Sequence, residues 1–195
     1  MPQNSGGLTA DSLGFERMSA ILTDSSVPKI VVGREPISRL RSAYKSRVKV
    51  HTQDPLFAHH HADWIALRQQ ILGWKMGAHA VSPDLAISEE ITFQDLAQYV
   101  ASTPSWELDR HYIPQTYFAA VDHIKYDLIG QVERLDEFLS EFCKLVGRSK
   151  LQVPEGYRLN SSVGASEGLI LEEPVRSALV QRYAADYEFF GYEAS

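Results

Sequence analysis

The sequence predicts an α/β fold in which a parallel sheet is flanked by helices. Two short, apolar, β-branched runs carry that reading, at residues 28–33 and 126–132. Each has the length and composition of a buried strand, and each gives way to apolar residues at helical period. Strands that alternate with helices favour a parallel sheet covered on both faces, with ligands bound beyond the carboxyl ends of the strands.

Residues 1–27 contain no lysine and show only a short apolar stretch at 18–22, so the N-terminal segment is left undefined and the domain is expected over 28–195. The first strand runs into Arg34-Glu35-Pro36. Pro36 suits the first turn of a helix because its missing N–H would be unpaired there, and Leu40, Ala43 and Tyr44 follow at helical spacing. After a polar stretch holding His59, His60 and His61, residues 62–76 place Trp64, Leu67, Ile71, Leu72 and Trp74 in a mostly helical pattern. Thr92 can cap the next helix, with Asp95 in its first turn and Phe93, Leu96, Tyr99 and Val100 as an apolar stripe, ended at Thr103-Pro104-Ser105. Beyond the second strand, Leu135, Phe138, Leu139, Phe142, Leu145 and Val146 form another stripe, with Gly147 as its stop. Residues 153–168 read as a loop, and one closing helix is expected over about 172–190, with Pro174 in its first turn and Val175, Leu179, Tyr183 and Tyr187 at four-residue steps.

The 195 residues, 44% of them hydrophobic, suffice for one domain with a substantial core. A formal charge of −6 and a pI near 5.6 argue against a broad basic surface for nucleic acid or anionic lipid. Any anion site must therefore be local. The single cysteine, Cys143, rules out an intramolecular disulfide and sits where a buried thiol is expected. No run is long and apolar enough for a membrane span, and the polar first twelve residues do not resemble a signal peptide, so a soluble, cytoplasmic chain is expected.

The local anion site is Arg34 with Ser42. A guanidinium leaves a strand end and a hydroxyl follows about two turns into the helix; the arginine fork, the rotatable hydroxyl and the helix N-terminus all favour a phosphate. Arg-x-Pro-x-x-x-x-x-Ser after an apolar strand resembles the 3′-phosphate-binding motif of the PAPS-dependent sulfotransferases. The similarity continues through Arg39-Leu40-Arg41-Ser42-Ala43-Tyr44, which resembles the Arg-Leu-x-Ser-Ala-Tyr run of the carbohydrate (family 2) sulfotransferases. Asp109-Arg110-His111-Tyr112-Ile113-Pro114-Gln115 is similar to that family's Asp-x-His-Trp-x-Pro-Gln. The segment 126–133 resembles its Tyr-Asp-Phe-Ile-Gly-Lys-Phe-Glu strand, Leu159-Asn160-Ser161-Ser162 its Asn-x-Ser loop, and residues 183–192 its terminal Tyr-x-x-Asp-Phe-x-x-Phe-Gly-Tyr.

The resemblance covers roughly residue 28 to the end and implies a P-loop NTPase-like sulfotransferase fold. It implies sulfonate transfer from PAPS to a hydroxyl of a carbohydrate acceptor, with PAP leaving and no metal required. It assigns Arg34, Ser42, Asn160 and Ser161 to the nucleotide, His111 to the catalytic base, whose ordinary pKa lies near neutrality, and Gln115 to the acceptor or to bracing its loop. Arg39 is expected to pair with a carboxylate. In the family an earlier strand leads into a lysine-bearing loop around the 5′-phosphosulfate; nothing before Pro28 matches it, so the first strand and loop are expected to be missing.

Two other classes compete. A non-catalytic nucleotide-binding or interaction protein derived from the same fold would keep Arg34 and Ser42 without turnover. An ATP-dependent P-loop kinase is disfavoured, since no Gly-x-x-x-x-Gly-Lys-Ser/Thr loop occurs. The His59–His61 triplet reads as solvated loop, because adjacent histidines seldom converge on one ion. Asn160-Ser161-Ser162 also matches a glycosylation sequon, which matters only in a secreted protein.

Overall fold

The computed structural model describes residues 15–49, 55–149 and 169–194, without the side chains of 15 and 55–61. Helix α1 (Phe15–Thr23) precedes strand β1 (Ile30–Gly33), which turns into α2 (Pro36–Ala43) and a π-helical turn, Tyr44–Val48. Then come α3 (Pro55–Met76), α4 (Pro83–Ser88), α5 (Phe93–Ser102), a 3₁₀ turn at Ser105–Glu107 and the short α6 (Gln115–Ala119). Strand β2 (Leu128–Gln131) passes through a 3₁₀ turn, Val132–Arg134, into α7 (Leu135–Leu145), and α8 (Glu173–Arg182) and α9 (Ala184–Phe190) close the chain.

The two strands pair in parallel, Ile30 opposite Leu128 through Gly33 opposite Gln131. Neighbouring residues of a strand point to opposite faces, and two glycines let a helix approach each face. A Cβ at Gly33 would collide with the ring of Phe190 in α9, and one at Gly130 with the ring of Phe138 in α7. Gly130 stands opposite Val32, one step from Gly33, so α7 and α9 cover opposite faces at the carboxyl ends of the strands.

The main core lies among the helices, where Leu40, Ile71, Leu96, Val100 and Leu179 are fully buried between α2, α3, α5 and α8. Arg68 of α3 is buried with them. Its guanidinium donates to the carbonyls of Val48, Ala86 and Glu89, tying α3 to the π turn and to the C-terminal end of α4. Three backbone acceptors, not a carboxylate, take up this buried charge.

The expected caps are present. Thr92 and Asp95 form a reciprocal capping box on α5, Pro36 sits in the first turn of α2, and Gly147 adopts φ +67° at the end of α7. The boundaries differ in places. Strand β2 is shorter than expected because Asp127 turns its carboxylate onto the Lys29 N–H at 2.8 Å and Val132 already coils. The single closing helix is two helices, hinged at Tyr183 with φ −98° and ψ 16°. The Tyr183 hydroxyl is drawn to the Tyr112 carbonyl at 2.6 Å, while α8 packs on α5 and α9 on the sheet. Helix α4, started by Ser82 accepting the Leu85 N–H, lies in a stretch with no strong periodic signal. The loop expected at 153–168 lies outside the described residues.

Candidate active site

Arg34 follows the last residue of β1, and its main chain is held by one side chain. Gln115 accepts the Arg34 N–H through Oε1 at 3.0 Å and donates from Nε2 to the Arg34 carbonyl at 2.8 Å. A carboxamide offers one acceptor and two donors in a plane, so it matches both groups of a peptide unit at once, and the reverse orientation would set donor against donor. Gln115 thus braces the main chain at Arg34. The Tyr192 hydroxyl lies 3.0 Å from the carbonyl of the preceding Gly33 and shares its one proton between that carbonyl and the Glu133 carboxylate.

Gln115 is in turn fixed by Asp186 of α9, which is completely buried. Asp186 Oδ2 accepts the Gln115 N–H at 2.8 Å and Nε2–H at 3.4 Å. Its Oδ1 accepts the Thr116 N–H and hydroxyl, both at 2.9 Å. A carboxylate at the start of α6 satisfies amides that the short helix leaves unpaired. Asp186 therefore anchors Gln115, and Gln115 anchors Arg34. Asp186 was not among the expected site residues, although it is the aspartate of the terminal Tyr-x-x-Asp motif.

Among the described residues, the Arg34 guanidinium makes no hydrogen bond or ion pair, and neither does the Ser42 hydroxyl. Arg34 is thus held by its backbone with its charge left open. The N-terminus of α2 is not open, which corrects one part of the expected anion site. Glu35 accepts the Ile37 N–H at 3.0 Å and the Ser38 N–H at 2.6 Å, and the Tyr187 hydroxyl donates to it at 2.8 Å. Burial pushes the Glu35 carboxyl up, but hydrogen bonds from Ser38, Tyr187 and Ile37 outweigh it and hold it below the usual range. The donors left for an anion are side chains.

Arg39 departs from the expected carboxylate pairing. It donates to the Ile113 carbonyl at 2.8 Å and the Arg110 carbonyl at 3.1 Å, so it braces the 109–115 segment from α2. That segment presents His111, whose Nδ1 lies 2.5 Å from Asp109 Oδ1. Arg47 Nη1 stands 2.6 Å from Nδ1 and 3.3 Å from Nε2 of the same ring. A carboxylate accepts only, so the Asp109 contact assigns the proton to Nδ1, while Arg47, also a donor, stands closer to that nitrogen than to Nε2. Burial lowers the His111 pKa, the Asp109 hydrogen bond opposes this, and Arg47 and Arg110 lower it again, with a net shift downward. The downward shift favours the neutral ring at pH 7.

Next to His111, the Tyr112 hydroxyl is fully buried with no partner among the described residues. Asn160 and Ser161 lie outside the described residues, and the side chains of His59, His60 and His61 do as well. Among the described residues no group of three or more His, Cys, Asp or Glu is placed to hold a metal ion, and no helix is long and apolar enough to cross a membrane.

Arg34 at the strand end, Ser42 two turns into the next helix and His111 held by Asp109 follow one another in the order of the sequence motifs. The Sulfotransferase family matches over residues 13–193, and the chain belongs to that family. It is 27% identical over 173 residues to carbohydrate sulfotransferase 11 of Danio rerio, covering 84% of this chain and 46% of that protein. The chain thus spans about half the length of this curated relative. No solved structure matches significantly.

Proposed function

We propose that this chain transfers a sulfonate from PAPS to a hydroxyl of a carbohydrate acceptor, on a P-loop-like sulfotransferase fold. The observation that carries the proposal is the open Arg34 guanidinium, held at the end of β1 by Gln115 and Asp186, with the unpaired Ser42 hydroxyl on the helix that follows. A fixed main chain and a free cationic fork suit the 3′-phosphate that distinguishes PAP and PAPS from ATP. PAPS, when bound, supplies an activated sulfonate with a good leaving group. His111 takes the proton of the acceptor hydroxyl at Nε2, Asp109 keeps the Nδ1 tautomer, and Arg47 is released from the ring toward developing negative charge. Similarity to a carbohydrate sulfotransferase supports the sugar acceptor.

A second reading, a nucleotide-binding relative without turnover, is favoured by one observation: Asp109 and Arg47 together engage both nitrogens of His111. The test is calorimetric titration of PAP into the chain beside Arg34→Ala and Ser42→Ala, with ATP as control. The proposal expects PAP binding that both variants weaken and that ATP does not match. No PAP binding by folded wild-type chain overturns it. Binding without transfer of sulfonate to any sugar acceptor selects the second reading.

A further inference from the structure

Two cavities open along α3. One, of about 470 Å³, is lined by Arg47, Asp63, Trp64, Glu107, Asp109 and Arg110, among others. The other, of about 770 Å³, lies toward the end of the helix around Trp74, Tyr99 and His79. Ala66, Gln70 and Glu107 line both, so the two adjoin along the helix as neighbouring parts of one surface groove. Trp64 and Trp74 are ten residues apart on α3, which at ~1.5 Å per residue separates them by about 15 Å along the helix. Beside Glu107 in the chain, Trp106 stands 84% exposed.

The lining has the chemistry of a sugar-binding surface. An aromatic face can stack on the C–H face of a pyranose, while carboxylates, carboxamides and guanidinium groups at its margin bond the ring hydroxyls. The charge narrows the class of sugar. Asp63 and Glu107 make no ion pair among the described residues, whereas Arg47 is already engaged with Asp109 and His111, leaving Arg110 against two open carboxylates. A uronate or sulfated chain would bring like charge to that lining. The groove meets the reaction centre through Asp109 and Arg47, both of which touch His111.

We propose that this groove is the acceptor site and takes an uncharged or amino sugar chain of more than one ring, with Trp64 as the stacking platform and Glu107 as the group that disfavours acidic sugars. The proposal rests on the sulfotransferase reading above. The test is calorimetry on the full chain with chitotetraose, N-acetylglucosamine and tetragalacturonate, followed by PAP in the same cell. Chitotetraose should bind at least ten-fold more tightly than either other sugar, and Trp64→Ala should weaken it at least ten-fold. Glu107→Lys, at an exposed position that leaves the fold intact, should raise affinity for tetragalacturonate at least three-fold. Should Trp64→Ala fail to fold, the Glu107 variant decides. Preference for tetragalacturonate, equal affinity for the monosaccharide, or an unchanged Glu107→Lys profile overturns the inference. PAP binding without any sugar binding also overturns it while leaving the donor site standing, and loss of PAP binding alone instead sinks the sulfotransferase reading.

Discussion

Replacing Asp186 with asparagine removes the charge from the buried carboxylate that starts the chain of contacts leading to Arg34. Asp186 accepts four hydrogen bonds, two on each oxygen, at 2.8 to 3.4 Å and with no exposure to water. Asparagine keeps one acceptor oxygen and turns an NH₂ toward the donors on the other side. It can serve either the Gln115 pair or the Thr116 pair, not both. Each hydrogen bond to a charged group contributes roughly 1.5–3 kcal/mol, and a buried donor left unpaired costs about 1–3 kcal/mol. Losing the shorter bond of one pair and stranding its donor should therefore destabilise the chain by about 3 kcal/mol. At the ~2–4 °C per kcal/mol expected for a domain of this size, the midpoint falls by roughly 6–12 °C. If the variant frees Gln115, Arg34 loses its two main-chain bonds and PAP affinity falls about ten-fold at a temperature where the protein remains folded. Thermal unfolding followed by circular dichroism and a PAP titration at 10 °C measure both. A midpoint within a degree of wild type would refute the hydrogen-bond accounting, and Gln115→Ala, which removes both main-chain bonds to Arg34, with unaltered PAP affinity would refute the relay to Arg34.

Other predictions address separate parts of the structure. Tyr112→Phe removes a buried, unpaired hydroxyl and should leave stability unchanged or raise it by up to ~1 kcal/mol, read from denaturant midpoints. Arg68→Met strands the carbonyls of Val48, Ala86 and Glu89 and should cost about 3 kcal/mol or more in the same assay. Because the His111 pKa is lowered, its neutral form predominates above a point below 6.5. Sulfonate transfer should rise with pH through that point, and Arg47→Ala, which removes a lowering charge, should move the limb to higher pH. The same shift means that the folded state binds fewer protons than the unfolded one near pH 6. The stability contributed by His111 is therefore present above 6.5 and lost as pH falls through the lowered value.

Much of this arrangement is local and therefore visible in the sequence. The two apolar runs, Pro36 in a first turn, the Thr92–Asp95 box and Gly147 each depend on neighbours within four residues. The order of Arg34, Ser42, His111 and Gln115 along the chain was equally legible. What their side chains do was less so, because it depends on partners distant in sequence. Gln115 and Arg34 meet across 81 residues and Asp186 and Gln115 across 71, and no spacing rule reveals such pairs. Glu35 as the cap of α2 is not legible in the sequence because helix caps are usually Ser, Thr, Asp or Asn, and a glutamate reaches the same amides only by folding back. The hinge at Tyr183 was hidden because the four-residue steps of Val175, Leu179, Tyr183 and Tyr187 continue across it. Its cause is the divergent packing of α8 and α9 rather than a breaking residue.

The central claim is that Arg34 recognises a 3′-phosphate, and the most direct measurement compares PAP with adenosine 5′-monophosphate, which lacks that group, in wild type and Arg34→Ala. The account predicts that wild type binds PAP at least ten-fold more tightly and that the ratio falls toward one in the variant. An equal ratio in both proteins, or no preference for PAP in wild type, would contradict it.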